Sequence, residues 1–245
     1  MNFAAKTHIG LRLKNEDSLY LPQAEGVQLV AVADGMGGHA GGKRASSTAI
    51  SELISSINKS SPYLELDPVQ RIRQAIKAAN EEIYKEAQLD EGYRGMGTTL
   101  TLALLFEDQY IAANIGDSRL YHFDGWTLTQ VTHDHSLVAV LVAHGAITEH
   151  EASCHPQRNI ITRCLGTTQN EEADFFIRRW SEGDILLLCT DGLHGSVSDA
   201  ELEASLRLNI SLNSLAQRLV KLALKAGATD NITLILAKNT GGDAA

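Results

Sequence analysis

Asp34, Asp117, Asp191 and Asp230 each close a run that ends beside glycine, serine or asparagine: VQLVAVAD, YIAANIGD, DILLLCTD, and AGATD just before NITLILA. Carboxylates gathered at the ends of buried strands repel one another and lose hydration, so without a counter-charge they must take up protons or disrupt the fold. A divalent cation removes that conflict. Oxygen-only ligation suits magnesium, manganese or calcium, whereas zinc more often brings closely spaced histidines and cysteines. A single aspartate at a strand end is ordinarily a turn residue bonded to nearby backbone; here the recurrence makes a metal centre the candidate. Asp34 and Asp191 carry it furthest, because each follows a strongly apolar strand and precedes a glycine, which lets chain segments approach without a Cβ between them.

The glycine-rich segment VADGMGGHAGG, Val32 to Gly42, admits a competing reading. Gly35, Gly37 and Ala40 satisfy the G-x-G-x-x-G/A dinucleotide pattern between a strand and a helix. Against it, Asp34 would aim a negative charge at a pyrophosphate, and no second strand ends in an acid about 20 residues on. No Gly-Lys-Ser/Thr follows, which excludes a Walker A loop. The glycines suit instead a backbone, such as the Gly35 carbonyl, drawn close to a metal held by Asp34.

The elements that must position these residues come in blocks. Val27 to Ala33 reads as a buried strand, followed by helical spacing over Gly41 to Ile57 and Pro68 to Gln88, with Asp67 as N-cap ahead of Pro68. Strands at Thr98 to Phe106, Tyr110 to Ile115, Ser118 to Phe123 and Thr127 to Val131 follow one another through short turns, as in an antiparallel meander. Short helices near Leu137 to His144 and Thr148 to Ser153 precede strands at Phe175 to Trp180 and Asp184 to Cys189. Helices near Asp199 to Leu208 and Leu212 to Ala226 precede a last strand, Ile232 to Ala237. Blocks of this kind, rather than strict βαβ alternation, predict an α+β fold of antiparallel sheets covered by helices.

The 245 residues, 44% of them hydrophobic, show no linker, repeat or low-complexity block, which predicts one domain over residues 1–238 and a flexible tail over 239–245. A formal charge of −9 argues against nucleic acid as a partner. Cys154, Cys164 and Cys189 lack metal-like spacing, and Cys189 sits in an apolar strand as a small buried hydrophobe, so a reducing cytoplasm is expected. MNFAAKTHIG lacks a signal-peptide core, and no apolar stretch reaches the roughly 20 residues that span a bilayer, so no membrane association is expected.

The succession RLKNED (Arg12 to Asp17), VADGMGGHAGG, GMGTT (Gly95 to Thr99), IGDSR (Ile115 to Arg119), DHS (Asp134 to Ser136), LLLCTDGL (Leu186 to Leu193) and TDNIT (Thr229 to Thr233) resembles the bacterial branch of the metal-dependent, PPM-type (type 2C) serine/threonine protein phosphatases, from about Thr7 to Ala237. The resemblance implies a four-layer αββα sandwich with a small flap insert at about 132–168. It implies hydrolysis of phosphoserine and phosphothreonine in proteins by a water bridging two metals, with two or three Mn2+ or Mg2+ ions as cofactors. It further implies phosphorylated proteins as substrates, an opposing serine/threonine kinase as partner, and a monomer. A silent binding module of this kind would usually have lost one or more of Asp34, Asp191 and Asp230, all of which are present.

Residue by residue, the resemblance makes Asp34 the carboxylate that bridges two metals, Gly35 the donor of a backbone carbonyl, and Asp191 and Asp230 the remaining carboxylates on the first metal. Asp117, with Asp191, matches a ligand of a third and weaker metal. Asp17 matches an outer acid holding metal-bound water, with Glu16 and Asn231 in support, Asn231 orienting the last loop. Arg12 matches the phosphate-binding arginine, whose planar fork suits two phosphate oxygens. His39, in the glycine loop, is the candidate acid for the leaving alkoxide. Two departures stand out: the segment between Gly10 and Arg12 is one residue short, and His8 stands where aspartate is common, so the first strand is open to a register shift and Lys14 is an alternative to Arg12. In the flap, His155 to Gly166 (HPQRNIITRCLG) mixes basic and apolar residues suited to a phosphopeptide. His133, His135, His144, His150 and His155 form no compact ligand set and read as surface histidines.

Overall fold

The computed structural model describes residues 1–23, 27–37, 41–58 and 67–241. The strands Leu29–Ala33 and Ile185–Cys189 are apolar and buried throughout because each lies inside a sheet covered on both faces. One sheet runs in the order β1 (Asn2–His8), β12 (Ile232–Lys238), β11 (Ile185–Cys189), β8 (Arg119–Phe123), β9 (Leu128–Gln130). The other runs β10 (Asp174–Arg179), β7 (Gln109–Ile115), β6 (Leu100–Leu105), β3 (Leu29–Ala33), β2 (Ser18–Tyr20). Every pairing within the two sheets is antiparallel.

Period-two alternation then sorts each strand's side chains into two cores. Val30, Val32, Ala103, Leu105, Tyr110 and Ala112 meet Leu120, Leu186, Leu188, Ile235 and Ala237 between the sheets. The alternate residues Leu29, Ala31, Ala33, Leu100 and Leu102 face outward under α1 (Gly41–Asn58) and α2 (Pro68–Leu89). Tyr121, Leu187, Cys189, Leu234 and Leu236 face the opposite way under α6 (Asp199–Leu206) and α7 (Leu212–Lys225). The result is the expected four-layer αββα sandwich. The Asp67 carboxylate accepts from the Val69 and Gln70 amides at 2.9 and 3.2 Å with Pro68 in the first turn, the cap read from sequence.

The antiparallel meander is corrected. β6 pairs with β7 and β8 with β9, but β7 and β8 belong to different sheets. The chain crosses the sandwich at Gly116–Ser118, and the crossing carries Asp117. The expected strand over Thr98 to Phe106 also breaks: Gly97–Thr98 (β5) pairs with Gly35–Met36 (β4), and β6 begins at Leu100. Thr99 is spent on Asp34, donating its N–H to the Asp34 carbonyl at 2.9 Å.

The flap segment carries α3 (Leu137–Ala143) and α4 (Glu149–Cys154), tied at its base by Thr162 N–H to His135 O at 2.8 Å and Leu165 N–H to Thr98 O at 2.9 Å. Asn239, read as the start of the tail, is held: its amide donates to Asp184 O at 3.0 Å and its side chain to Glu107 O at 2.9 Å. Residues 242–245 lie outside the described residues. Among those described, no helix is long and apolar enough to cross a membrane.

Candidate metal centre

At one end of the sandwich a pocket of about 670 Å³ is lined by Arg12, Glu16, Asp34, Gly35, Asp117, Asp191, Asp230 and Asn231. Leu13, Lys14, Met36, Gly37, Asn159 and Ile161 complete its lining. Both sheets contribute: Asp34 leaves β3, Asp191 follows β11 and opens the helical turn α5 (Asp191–His194), Asp230 precedes β12, and Asp117 lies on the crossing between β7 and β8. Asp17 sits behind the pocket rather than in it, 3% exposed, with its Oδ2 accepting from the Thr190 hydroxyl at 3.0 Å.

The quoted motifs explain how these carboxylates are held. The Thr99 hydroxyl accepts from Asp34 N–H at 2.9 Å and pairs with Ser118 Oγ at 2.8 Å, while the Thr98 hydroxyl donates to Asp34 O at 2.8 Å. Thr190 and Thr233 exchange bonds between the β11 and β12 segments, Thr233 N–H reaching Thr190 Oγ1 at 3.1 Å. Glycine is required where segments cross: a Cβ on Gly35 would lie 2.0 Å from Gly42 O, and one on Gly192 would lie 2.0 Å from Asn231 O. Arg119, in the IGDSR motif, turns away from the pocket to a two-pronged pair with Asp134, its Nη2 2.7 Å from Oδ2.

The N-terminal segment reaches the site despite its irregular spacing. β1 pairs with β12 over its whole length, from Asn2 opposite Lys238 to His8 opposite Ile232, so no register shift occurs within the strand. Asn231 orients this first loop rather than the last one: its Oδ1 accepts from Glu16 N–H at 2.8 Å, and its Nδ2 donates to Ile9 O and Lys14 O, both at 2.9 Å. Arg12 then places Nη2 2.6 Å from Asp230 Oδ2.

Crowding dominates the electrostatics. Burial, then repulsion from Asp17, Asp191, Asp117 and Asp230, pushes the Asp34 carboxyl well above the ordinary carboxylate range. Burial is also the first cause raising Asp17 and Asp191 to about 6 and Asp117 to about 7. Neighbouring acids add to each shift, while the Thr233 and Thr190 hydroxyls pull Asp17 down. Three of these groups keep a buried oxygen with no hydrogen-bond partner: Asp17 Oδ1, Asp117 Oδ1 and Asp191 Oδ1. Buried carboxylate oxygens are ordinarily satisfied, so the set fits cations. Among the described residues no three His, Cys, Asp or Glu side chains close on one point as a preformed cage.

Other expectations fare differently. His39 lies outside the described residues. His133, His144 and His150 are exposed as expected, but His135 is 7% exposed and is not a surface histidine; its ring is bonded to the Gly116 amide. Arg163, counted among the basic residues suited to a phosphopeptide, pairs instead with Glu171 and Asp174, each at 3.0 Å. Reading the sequence missed the roles of Thr98, Thr99, Thr190 and His194; the threonines stood inside quoted motifs, and His194 directly follows one.

A family model described as Protein phosphatase 2C matches residues 5–236. The serine/threonine phosphatase stp of Listeria monocytogenes serovar 1/2a is 38% identical over 209 residues, covering 85% of this chain and 83% of that protein. The crystal structure of a bacterial serine phosphatase is similar over 100% of both chains, with a TM-score of 0.91 and 38% identity. The catalytic domain of the serine threonine protein phosphatase PstP, in complex with 2 manganese ions, is similar over 97% of both chains, with a TM-score of 0.84 and 36% identity. With the pocket's carboxylates carried by an αββα sandwich and this match along almost the whole sequence, the chain belongs to the protein phosphatase 2C family.

Proposed function

We infer that the protein is a manganese- or magnesium-dependent protein phosphatase that removes phosphate from phosphoserine and phosphothreonine in proteins. The observation that carries the reading is the set of partnerless buried oxygens on Asp117 and Asp191 in one pocket and on Asp17 behind it. In this reading Asp34, the Gly35 carbonyl, Asp191 and Asp230 would hold two divalent ions, Asp117 with Asp191 would hold a third, and Asp17 would support the site from behind. When bound, such ions lower the pKa of water toward neutrality and stabilise charge on a phosphoryl group.

The chain's own residues do the rest. Arg12, at the rim, presents a planar fork that matches two phosphate oxygens. Asn231 fixes the loop that carries it, so the guanidinium is held over the carboxylates. Leu13, Asn159 and Ile161 form the rim against which the peptide around the phosphorylated residue lies. His39 keeps its candidacy as the acid for the leaving alkoxide. The reading includes one domain over residues 1–238 with its flap at about 132–168, a monomer, an opposing serine/threonine kinase as partner, and a cytoplasmic setting in keeping with three free cysteines.

The test is phosphate release from a phosphothreonine peptide with manganese, with magnesium and with excess EDTA, on wild type and Asp191→Asn in parallel. Release that needs metal and is abolished in a folded Asp191→Asn variant is expected. Equal release by the variant overturns the assignment.

A further inference from the structure

Asp117 is the one proposed ligand that sits on a three-residue crossing between sheets rather than at the end of a paired strand. Its carboxylate Oδ1 has no hydrogen-bond partner, and the direction of its Cα–Cβ bond is a property of the backbone. It is set by the two peptide groups that flank its Cα. On the near side His135 holds two successive peptides: its backbone N–H donates at 2.9 Å to Gly116 O, in the peptide that precedes Asp117, and its ring Nδ1 accepts at 3.1 Å from Gly116 N–H, one peptide further back, where it steadies the Gly116 φ. Asn114 Nδ2 adds a second donor to the same carbonyl at 3.2 Å. On the far side, His194 Nε2 lies 3.0 Å from Asp117 O. Fixing the peptide planes before and after a residue fixes its φ and ψ, and with them the direction of its Cα–Cβ bond.

The backbone partners also settle which ring nitrogens carry protons. An amide N–H only donates, so His135 Nδ1 is an acceptor; a carbonyl only accepts, so His194 Nε2 is a donor. The other ring nitrogen, His135 Nε2, lies 2.9 Å from Arg163 Nη1 and 3.2 Å from Asp174 Oδ2. Asp174 is held in turn by Arg163 at the foot of the flap, Nη1 to Oδ1 at 3.0 Å. Gly116 leaves the turn no alternative seat: its φ is +104°, and a Cβ there would lie 2.5 Å from the Thr99 methyl group. His194 stands on α5, the helical turn that Asp191 opens.

We propose that His135 and His194 are positioning residues that clamp the Gly116–Asp117 turn from its two sides, so that Asp117 Oδ1 is presented, unpartnered, to a cation shared with Asp191. This rests on the reading of Asp117 as a metal ligand given above. The clamp acts through the backbone and leaves Oδ1 free, which a direct hydrogen bond from a neighbouring side chain to that oxygen would not. It also ties the ligand to the flap, through Asp174 and Arg163, and to the segment of the second ligand, through α5.

Manganese titration of the metal-free protein, followed by the electron paramagnetic resonance signal of free Mn2+, tests this on wild type, D117A, H135A, H135N, H194F and H194Q. The asparagine amide oxygen replaces Nδ1 as acceptor and the glutamine amide N–H replaces Nε2–H as donor, whereas alanine and phenylalanine replace neither. Thermal melts in EDTA confirm folding of each variant, and the H194F and H194Q pair carries the test if H135A does not fold. The expected result is that D117A removes the weaker class of bound manganese, while H135A and H194F weaken it by about 10–100-fold and leave the tighter class unchanged. H135N and H194Q recover most of that loss. Wild-type affinity in H135A and H194F, alongside loss in D117A, overturns the clamp. Equal losses in each pair overturn it too, because volume rather than the hydrogen bond would then matter. Unchanged binding by D117A shows that Asp117 is not a ligand, and the proposal falls with that reading.

Discussion

Arg12 and Asp230 form an ion pair at 2.6 Å, and the pair, ahead of the nearby Asp191 and Asp34 charges, raises the Arg12 pKa. The guanidinium thus stands at the edge of the pocket, facing a ring of acids. Arg12→Ala is expected to lower kcat/KM for p-nitrophenyl phosphate by about 10–100-fold, the equivalent of about 1.5–3 kcal/mol for hydrogen bonds to a charged group. Arg12→Lys should restore only part of this, because an ammonium lacks the fork. Steady-state kinetics at saturating manganese check both, and wild-type kinetics for Arg12→Ala would remove Arg12 from phosphate binding. At this scale the aspartates were legible, since an acid that ends an apolar run leaves a mark on the sequence. The histidines were not. His135 and His194 bind backbone groups at Gly116 and Asp117, 19 and 77 positions away, and no local pattern records such a partner.

The main strands and helices were legible because each is long enough to show a period or an unbroken apolar run. β2, β4, β5 and α5 have two to four residues each, too few for either signal. The break between β5 and β6 and the exchange of sheets between β7 and β8 were hidden for a different reason. A strand pattern reports which faces are buried, not which sheet buries them. Thr99 stands at the first of these places and also supports Asp34, so Thr99→Val tests the element directly. Valine keeps the volume and leaves Asp34 N–H and Ser118 Oγ without their partner in a buried site. The expected cost is about 1–3 kcal/mol, read as a Tm lower by roughly 2–4 °C per kcal/mol. An unchanged melt would show that water replaces the hydroxyl.

Across the whole molecule, the carboxylates make metal-free stability depend on pH. Asp17 and Asp191 are raised to about 6 and Asp117 to about 7 from an ordinary 3.8. The unfolded chain therefore ionises first as pH rises, and the folded state loses stability from about pH 4 until these groups have titrated near pH 7. EDTA-treated protein should melt at a lower temperature at pH 8 than at pH 5, and manganese should abolish the difference at pH 8 by binding only the folded form. A melt that is independent of pH without metal would contradict the crowding. The layout of the same residues has a mechanical side as well. Asp34 belongs to one sheet, Asp191 and Asp230 to the other, and Asp117 to the crossing, so ions held among them rivet two layers that elsewhere touch mainly through apolar side chains. Their loss should loosen the sandwich in shear at that end first, with amide exchange quickening at the ends of β3, β7 and β11 while the opposite edge stays closed.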